Sequence, residues 1–416
     1  MKKIISFIIA SKNSENFKSK KSQYEHEILF KPMINWVCDM CKRANFDKNV
    51  VILPQNSESL TKLIPEDFLT IKNYSDTFKI ISENTESDIL LINADNIFAD
   101  EETVLSSLEY HRNNNIDLTT VYTVLDGRRI KCNLCWIKPA VFASALTDMS
   151  LNSGSEDLIK IIENVKCNKS AYLTENTSCM CRIYDKKTLA ETNEYARLMV
   201  IDRMYAEGVN IPCKTGVIIS PDAVIGMDTT ILPNSVIRGK TIIGEDCIIG
   251  ESTNIVDSEI GDGNSILSSL IEKSVIHNNA KIGPFVHIRP GSEIDDNVKL
   301  GNFVEIKSSK VGNHTSVAHL TYLGDSELGK YVNVGCGVVT ANYDGAQKHK
   351  THIGDSAFIG CNTNFIPPVS VGKGSIIGAG STITDDVDDF SLAIARSKQT
   401  VMPDWALKKG KYKKGL

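Results

Sequence analysis

From Val224 to Ile383 an aliphatic residue returns about every sixth position, in runs such as Ile225, Ile231, Ile237, Ile243, Ile249 and Ile255. An α-helix repeats its buried face every 3.6 residues and a strand every two, so a six-residue beat predicts short strands, each followed by a corner. The hexads read aliphatic, then usually Gly or another small or polar residue, with a small residue further on: IGMDTT, IGEDCI, IGESTN, IGPFVH, IGDSAF, IGCNTN, IGAGST. The aliphatic side chains fill the inside of a prism, and the glycine after each is expected to supply an unusual corner backbone. Three such faces close a coil of about eighteen residues, and coils stacked about 4.8 Å apart complete one another's backbone hydrogen bonds. The pattern is that of a parallel β-helix.

The register runs from Ile225 to Val334, with five-residue steps at Ile260, Ile271, Ile276, Val311 and Leu328, and resumes at Ile353, Ile359, Phe365, Val371, Ile377 and Ile383. That is enough for about nine coils, and a β-sandwich with scattered Val and Ile would not hold phase so long. The beat is expected to break once, between Val334 and Ile353, at VGCGVVTANYDGAQKHKTH. A long insertion in a regular solenoid points to function. Its Asn342, Tyr343, Lys348, His349 and Lys350 are groups that hold an anionic ligand.

Before residue 200 the rhythm changes. IISFIIA, NVVILP, DILLINAD and LTTVYTVL alternate with the helical patterns PMINWVCDMCKRA and SDTFKIISEN, which predicts an α/β domain with a mostly parallel sheet. The opening MKKIISFIIAS reads as a first strand rather than a signal peptide, because its apolar stretch is short and passes into SKNSENFKSKK without a small-residue cleavage site. KKTLAETNEYARLMVIDRMYAEG, ended by glycine, predicts a long helix carrying the chain into the hexads.

At 416 residues the chain exceeds one core, and its formal charge of -5 makes nucleic acid an unpromising partner. No apolar run approaches membrane-spanning length, so no membrane insertion is expected. Eleven cysteines without a compact framework point to reduced thiols in a cytoplasmic protein. Cys38/Cys41 and Cys132/Cys135 have metal-like spacing, but one pair sits in a helical pattern and the other lies about ninety residues on, so buried, inert thiols are the expectation. The basic tail VMPDWALKKGKYKKGL is solvated or helps hold a phosphorylated ligand.

From Pro284 to Arg396 the segments PFVHIRPGSEI, GNFVEIKSSKVG, AHLTYLGDSELG, ANYDGA and IGAGSTIT closely resemble the acetyltransferase half of a bacterial family. That family comprises the bifunctional N-acetylglucosamine-1-phosphate uridyltransferases and glucosamine-1-phosphate acetyltransferases. The resemblance implies a left-handed β-helix, transfer from acetyl-CoA to the amine of glucosamine-1-phosphate on the route to UDP-N-acetylglucosamine, and a site between subunits of a homotrimer. It further implies four spans: a Rossmann-like nucleotidyltransferase-type α/β domain at 1–185, a linking helix at 186–208, the β-helix at 209–390 and a basic tail at 391–416.

An amino sugar at neutral pH is largely an ammonium, and histidine is the side chain best matched to removing its proton. The resemblance places that base at His319. Arg289 and Lys307 stand eighteen residues apart, one turn of the prism, and so stack as donors for one phosphate. The resemblance adds Tyr322, Asn333 and Lys348 as sugar contacts. Glu305, on the same side of its strand as Lys307, is placed either to orient His319 or to pair with Lys307. Asn342 and Tyr343 match positions that meet the acetyl donor and the reacting amine, while Ala379 and Arg396 match later coenzyme A contacts. Cys336 and Cys361 stand near the coenzyme, where the family commonly has alanine and serine.

The first half keeps the family's order, with KPM at 31–33 and NAD at 93–95. The family's triphosphate loop is glycine-rich and carries an arginine and then a lysine, because close amides and fixed cations neutralise the nucleotide. Here Lys12 and Ser14 stand at the glycines, Asn16 at the arginine and Gln23 at the lysine, while KNYSDT at 72–77 fills the uracil-contacting glycine run. Asp95 and Asn193 match the two magnesium ligands, with Asp95 otherwise a carboxylate at a strand end. The expectation is therefore an inactive uridyltransferase domain, with Mg2+ needed only if that domain is active. The alternatives are a fully bifunctional enzyme and a non-catalytic trimeric scaffold.

Overall fold

The computed structural model describes residues 2–10, 15–54, 57–151, 158, 162 and 164–411. The chain divides into two compact units, Met1–Val200 and Ile201–Leu416.

The first unit is built on a seven-stranded sheet, whose strands run in the spatial order Leu69–Ile71, Lys48–Ile52, Ile4–Ile9, Asp88–Asn93, Arg128–Ile137, Leu118–Leu125, Lys169–Thr174. Every neighbouring pair is parallel except the two made by Arg128–Ile137. The opening apolar stretch is the central strand, with Ile5, Phe7, Ile8 and Ile9 buried as a strand covered on both faces requires. Helices Met33–Arg43 and Tyr74–Ser82 fall on the helical patterns. Phe7 meets Phe142, from helix Pro139–Leu151, edge to face at 5.4 Å. Helix Glu101–Asn113 and strand Arg128–Ile137 were not expected from the pattern. Helix Lys186–Ala206 ends at Gly208, whose φ of +87° is left-handed backbone that glycine adopts without strain.

The second unit is a parallel β-helix of three sheets with ten, nine and ten strands. The first face begins at Ile218–Ile219, the second at Val224–Ile225 and the third at Thr230–Ile231, each pairing in parallel with the strand one coil on. Inward Ile, Val and Leu are almost wholly buried, each such burial contributing about 1.5–3 kcal/mol. The small position four after the aliphatic carries hydroxyls that bond the next coil, as Thr229 Oγ1 to the Gly244 carbonyl at 2.7 Å and Ser235 Oγ to the Gly250 carbonyl at 3.0 Å.

Two expectations are corrected. Except at Gly283, with φ +106°, the glycine after the aliphatic is not a left-handed corner: those positions lie mostly one or two residues later, on side chains such as Asp228, Asn234, Asp246 and Asn362, residues that tolerate αL backbone. That glycine is needed because the coils approach closely, and a Cβ at Gly335 or Gly360 would lie 2.7 or 2.5 Å from the backbone nitrogen of Cys361 or Ala379. Nor does the beat lapse at Val334. Thr340, six residues on and fully buried, continues the first face in register with Phe365. Its hydroxyl accepts the Gly324 N–H at 2.7 Å, so a polar side chain takes an inward place that an aliphatic count passes over. The insertion is therefore the shorter segment 341–350.

Candidate functional site

On the first face, strands His287–Ile288, Glu305–Lys307 and Tyr322–Gly324 lie on successive coils. His287 pairs with Glu305, Glu305 with Tyr322 and Lys307 with Gly324, and the Arg289 N–H donates to the Ile306 carbonyl at 2.8 Å. Arg289 and Lys307 thus occupy equivalent outward positions one coil apart. Glu305 pairs with Arg289, Nη1 to Oε1 at 2.9 Å; among the described residues it is bonded to neither Lys307 nor His319. Lys307 instead faces Asp325, Nζ to Oδ2 at 3.5 Å.

Segment 341–350 folds back onto this face. The His349 N–H returns to the Asn342 carbonyl at 2.9 Å, and Tyr343 pairs with Lys348. Asp344 holds the bend, accepting the N–H groups of Ala346 and Gln347 and the His349 ring at 2.7 Å each. The Gln347 N–H, the His349 ring and the Ala346 N–H together hold its carboxyl far below the usual carboxylate range. The Lys348 ammonium meets that of Lys307, which lowers its pKa, and Arg289 lowers it further while Asp325 opposes. Asn342 is buried and bonds Asp325 through its amide nitrogen, while the Tyr322 hydroxyl stands 3.5 Å from its oxygen. Gly324 leaves room for this contact, since a Cβ there would lie 2.6 Å from the Tyr322 hydroxyl and 2.9 Å from Asn342 Cγ.

Arg289, Lys307, Lys348, Tyr322 and Asn342 are thus gathered on one face. Three cations meet two carboxylates, which suits the patch to an anion. Asp325 was missed by sequence reasoning, although AHLTYLGDSELG contains it one place beyond the position facing Lys307.

The remaining residues lie elsewhere. His319 ends strand Ser316–His319 of the third face and pairs with Asn302. Its imidazole is exposed, and among the described residues nothing hydrogen-bonds it. Val317, Val334, Ile359 and Ile377 are successive inward positions of the third face. Two residues after each come His319, Cys336, Cys361 and Ala379, one column along a corner of the prism. Arg396 is exposed near the end of that corner, its Cδ 3.8 Å from where a Cβ of Gly380 would stand. Asn333 points outward from the third face, between Ser316 and Phe358, apart from the first-face cluster. Tyr343 is exposed and donates to the Gly345 carbonyl at 2.6 Å.

In the first unit, Lys12 and Ser14 lie outside the described residues, as do 412–416 of the tail. Gln23 is buried in a short 3-10 helix, and Asn16 lies in another. KNYSDT is a helix start, with Asn73 Oδ1 capping the Asp76 N–H at 2.8 Å. Asn193 is tied to backbone: its oxygen accepts the Leu29 N–H at 3.0 Å, and its amide donates to the Leu189 carbonyl at 3.0 Å and the Glu27 carbonyl at 3.4 Å. The Asn193 amide oxygen is thus already engaged by backbone, while a carboxylate such as Asp95 together with substrate phosphates is the donor set magnesium takes. Cys38, Cys41, Cys132 and Cys135 are buried; burial pushes Cys41 and Cys135 up to about 12 and Cys132 to about 11. Among the described residues no cysteine joins a metal-ligating group, and no helix is long and apolar enough to cross a membrane.

The bacterial transferase hexapeptide family matches residues 222–256, 273–308 and 350–385. Across nearly the whole chain there are curated relatives, each named "Bifunctional protein GlmU". That of Acetivibrio thermocellus is 34% identical over 99% of this chain and 98% of its own length. That of Caldanaerobacter subterraneus is 33% identical over 99% and 100% respectively. The Thermosipho africanus protein is 36% identical over 97% of each.

Proposed function

The chain belongs to the bifunctional GlmU family, with its left-handed hexapeptide β-helix behind a nucleotidyltransferase-like domain, and from that premise we propose that it retains one of the family's two reactions. That reaction is the N-acetylation of glucosamine-1-phosphate by acetyl-CoA, carried out by a homotrimer. The convergence of Arg289, Lys307 and Lys348 on one face carries this reading. Three cations held together repel one another, and a phosphate among them relieves that repulsion.

In the proposed reaction, His319 takes a proton from the substrate ammonium. The freed amine attacks the thioester carbonyl carbon, forming the C–N bond, the C–S bond breaks, and coenzyme A leaves as a thiolate that takes up the proton the acylated nitrogen loses. Asn342, fixed by Asp325, offers a neutral amide to the amine or the thioester oxygen. The donor's arm runs along the corner column Cys336, Cys361 and Ala379, with Arg396 toward its phosphates. The small side chains of that column, following glycines packed against the next coil, leave room for it.

The second reaction, transfer of UMP from UTP to N-acetylglucosamine-1-phosphate, is proposed to be lost. The uracil-side segment is now a capped helix start, and Asn193 is committed to backbone. A fully bifunctional enzyme is the competing reading, favoured by Asp95 at the strand end. Coenzyme A thiol release with glucosamine-1-phosphate tests the main proposal: wild-type turnover is expected, falling about 10²- to 10⁴-fold in His319→Ala. An alanine variant as fast as wild type removes His319 from the base role.

A further inference from the structure

We propose that Cys336 and Cys361 form a reversible thiol switch on the donor side of the acetyl-transfer site. Strands Asn333–Val334 and Phe358–Ile359 pair in register, Val334 with Ile359, so the two cysteines take the same corner position on adjacent coils. Backbone bonds clamp the pair on both sides: the Gly335 N–H to the Ile359 carbonyl and the Asn362 N–H to the Cys336 carbonyl, each 2.8 Å. A coil spacing of about 4.8 Å lies inside the Cα separation that a disulfide spans.

Access together with register separates this pair from the other thiols, of which Cys167 and Cys181 are also half-buried. Cys361 is exposed and Cys336 half-buried. Burial, with a smaller effect of the neighbouring cysteine, raises the Cys38 pKa beside Cys41 and the Cys179 pKa beside Cys132, and both pairs are sealed in the first unit. Cys213 is exposed on a different part of the chain. Cys336 and Cys361 are thus the reachable pair that shares a corner among the described residues.

The oxidant is a low-molecular-weight disulfide. The Cys361 thiolate attacks one of its sulfurs, forming a mixed disulfide and expelling one small thiolate. The Cys336 thiolate then attacks Cys361 Sγ, closing the protein disulfide and expelling the second. Two protein thiols are oxidised, one small disulfide is reduced to two thiols, and the two protons pass to the released thiolates. The bridge ties two coils at the corner that holds His319 and sets a covalent S–S link in the path of the donor's arm.

The effect on activity rests on the proposed acetyl transfer; the bridge itself does not. The full-length protein, incubated with oxidised glutathione and digested without reduction, is expected to yield a Cys336–Cys361 cross-linked peptide that dithiothreitol abolishes. Cys361→Ser and Cys336→Ala are each expected to yield none. In acetyl-transfer assays the oxidised wild type is expected to show at least about a tenfold fall in kcat/KM for acetyl-CoA, since ångström-scale displacement of a reactant suffices for that. Reduction is expected to reverse it, and the oxidised-to-reduced ratio is expected to be near one in Cys361→Ser. Glutathione mixed disulfides without the cross-linked peptide overturn the pairing, and a bridge that leaves kcat/KM for acetyl-CoA unchanged overturns the switch. A bridge in a protein whose reduced form acetylates nothing supports the thiol pairing and refutes the proposed acetyl transfer.

Discussion

Replacing Lys307 with methionine removes one charge from the first-face cluster while keeping an unbranched stem of similar length. Lys307 is four-fifths buried and 3.5 Å from Asp325, so its stem packs and its ammonium is held in place. At an effective dielectric constant of about 20, two unit charges at that distance attract by roughly 5 kcal/mol before any desolvation is counted, which is an upper bound. A charge-assisted hydrogen bond to a phosphate is worth about 1.5–3 kcal/mol net, which is a rise in KM of roughly 10- to 150-fold. Because the phosphate lies away from the reacting amine, kcat should stay within a few-fold. The assay is initial-rate coenzyme A release at saturating acetyl-CoA, with glucosamine-1-phosphate and, separately, glucosamine. The reasoning requires the variant to lose against the phosphorylated sugar and to match wild type on the plain one. An equal loss on both substrates would mean that Lys307 supports the fold of the site and does not hold phosphate, and no loss on either would remove the cluster from substrate binding.

Thr340→Val leaves the buried Gly324 N–H without its acceptor, and urea unfolding should show a loss of about 1–3 kcal/mol; a neutral result would mean that another group satisfies that N–H. Asp344 has its pKa lowered on folding, so the stability it gives segment 341–350 is present above the ordinary carboxylate pKa and is lost as pH falls through the depressed value. Asp344→Asn should reproduce that loosening at neutral pH as faster tryptic cleavage at Lys348 and Lys350, and unchanged cleavage would count against the carboxylate as the holder of the bend. Supplied with UTP, Mg2+ and N-acetylglucosamine-1-phosphate, the protein should release no pyrophosphate above background. Turnover at ordinary enzymatic rates would show that the first unit still works.

The β-helix was legible because its inward positions are nearly all aliphatic and obey one spacing. It failed at Thr340, where a hydroxyl bonded to Gly324 does the work of an apolar side chain, and so the insertion looked longer than it is. The hexad glycine was seen for the wrong reason: it answers to the backbone of the next coil, a neighbour that no local pattern contains. In the first unit, strand Arg128–Ile137 escaped notice because RRIKCNLCWI starts exposed and ends buried, so it shows neither clean alternation nor a continuous apolar run. Spacing brought Arg289 over Lys307 correctly, yet it could not say which carboxylate each would meet. Those partners are set by side-chain reach between coils, and they came out as Glu305 and Asp325.

The two halves differ in how tightly chemistry is bound to fold. In the first unit the sheet is held by Ile5, Phe7, Ile89, Leu91 and Phe142, all buried in one core. On the proposed loss of uridyltransfer, Asn73 as a helix cap and Asn193 as a backbone anchor serve structure and leave that core intact. In the β-helix the register that seals the prism is the same register that stacks Arg289 with Lys307 and His319 with Cys336, Cys361 and Ala379. A one-residue slip there would turn the inward aliphatics to solvent and scatter both clusters at once. Loss of chemistry by drift is thus easy in the first unit, whereas in the second the demands of folding preserve the framework on which the site depends.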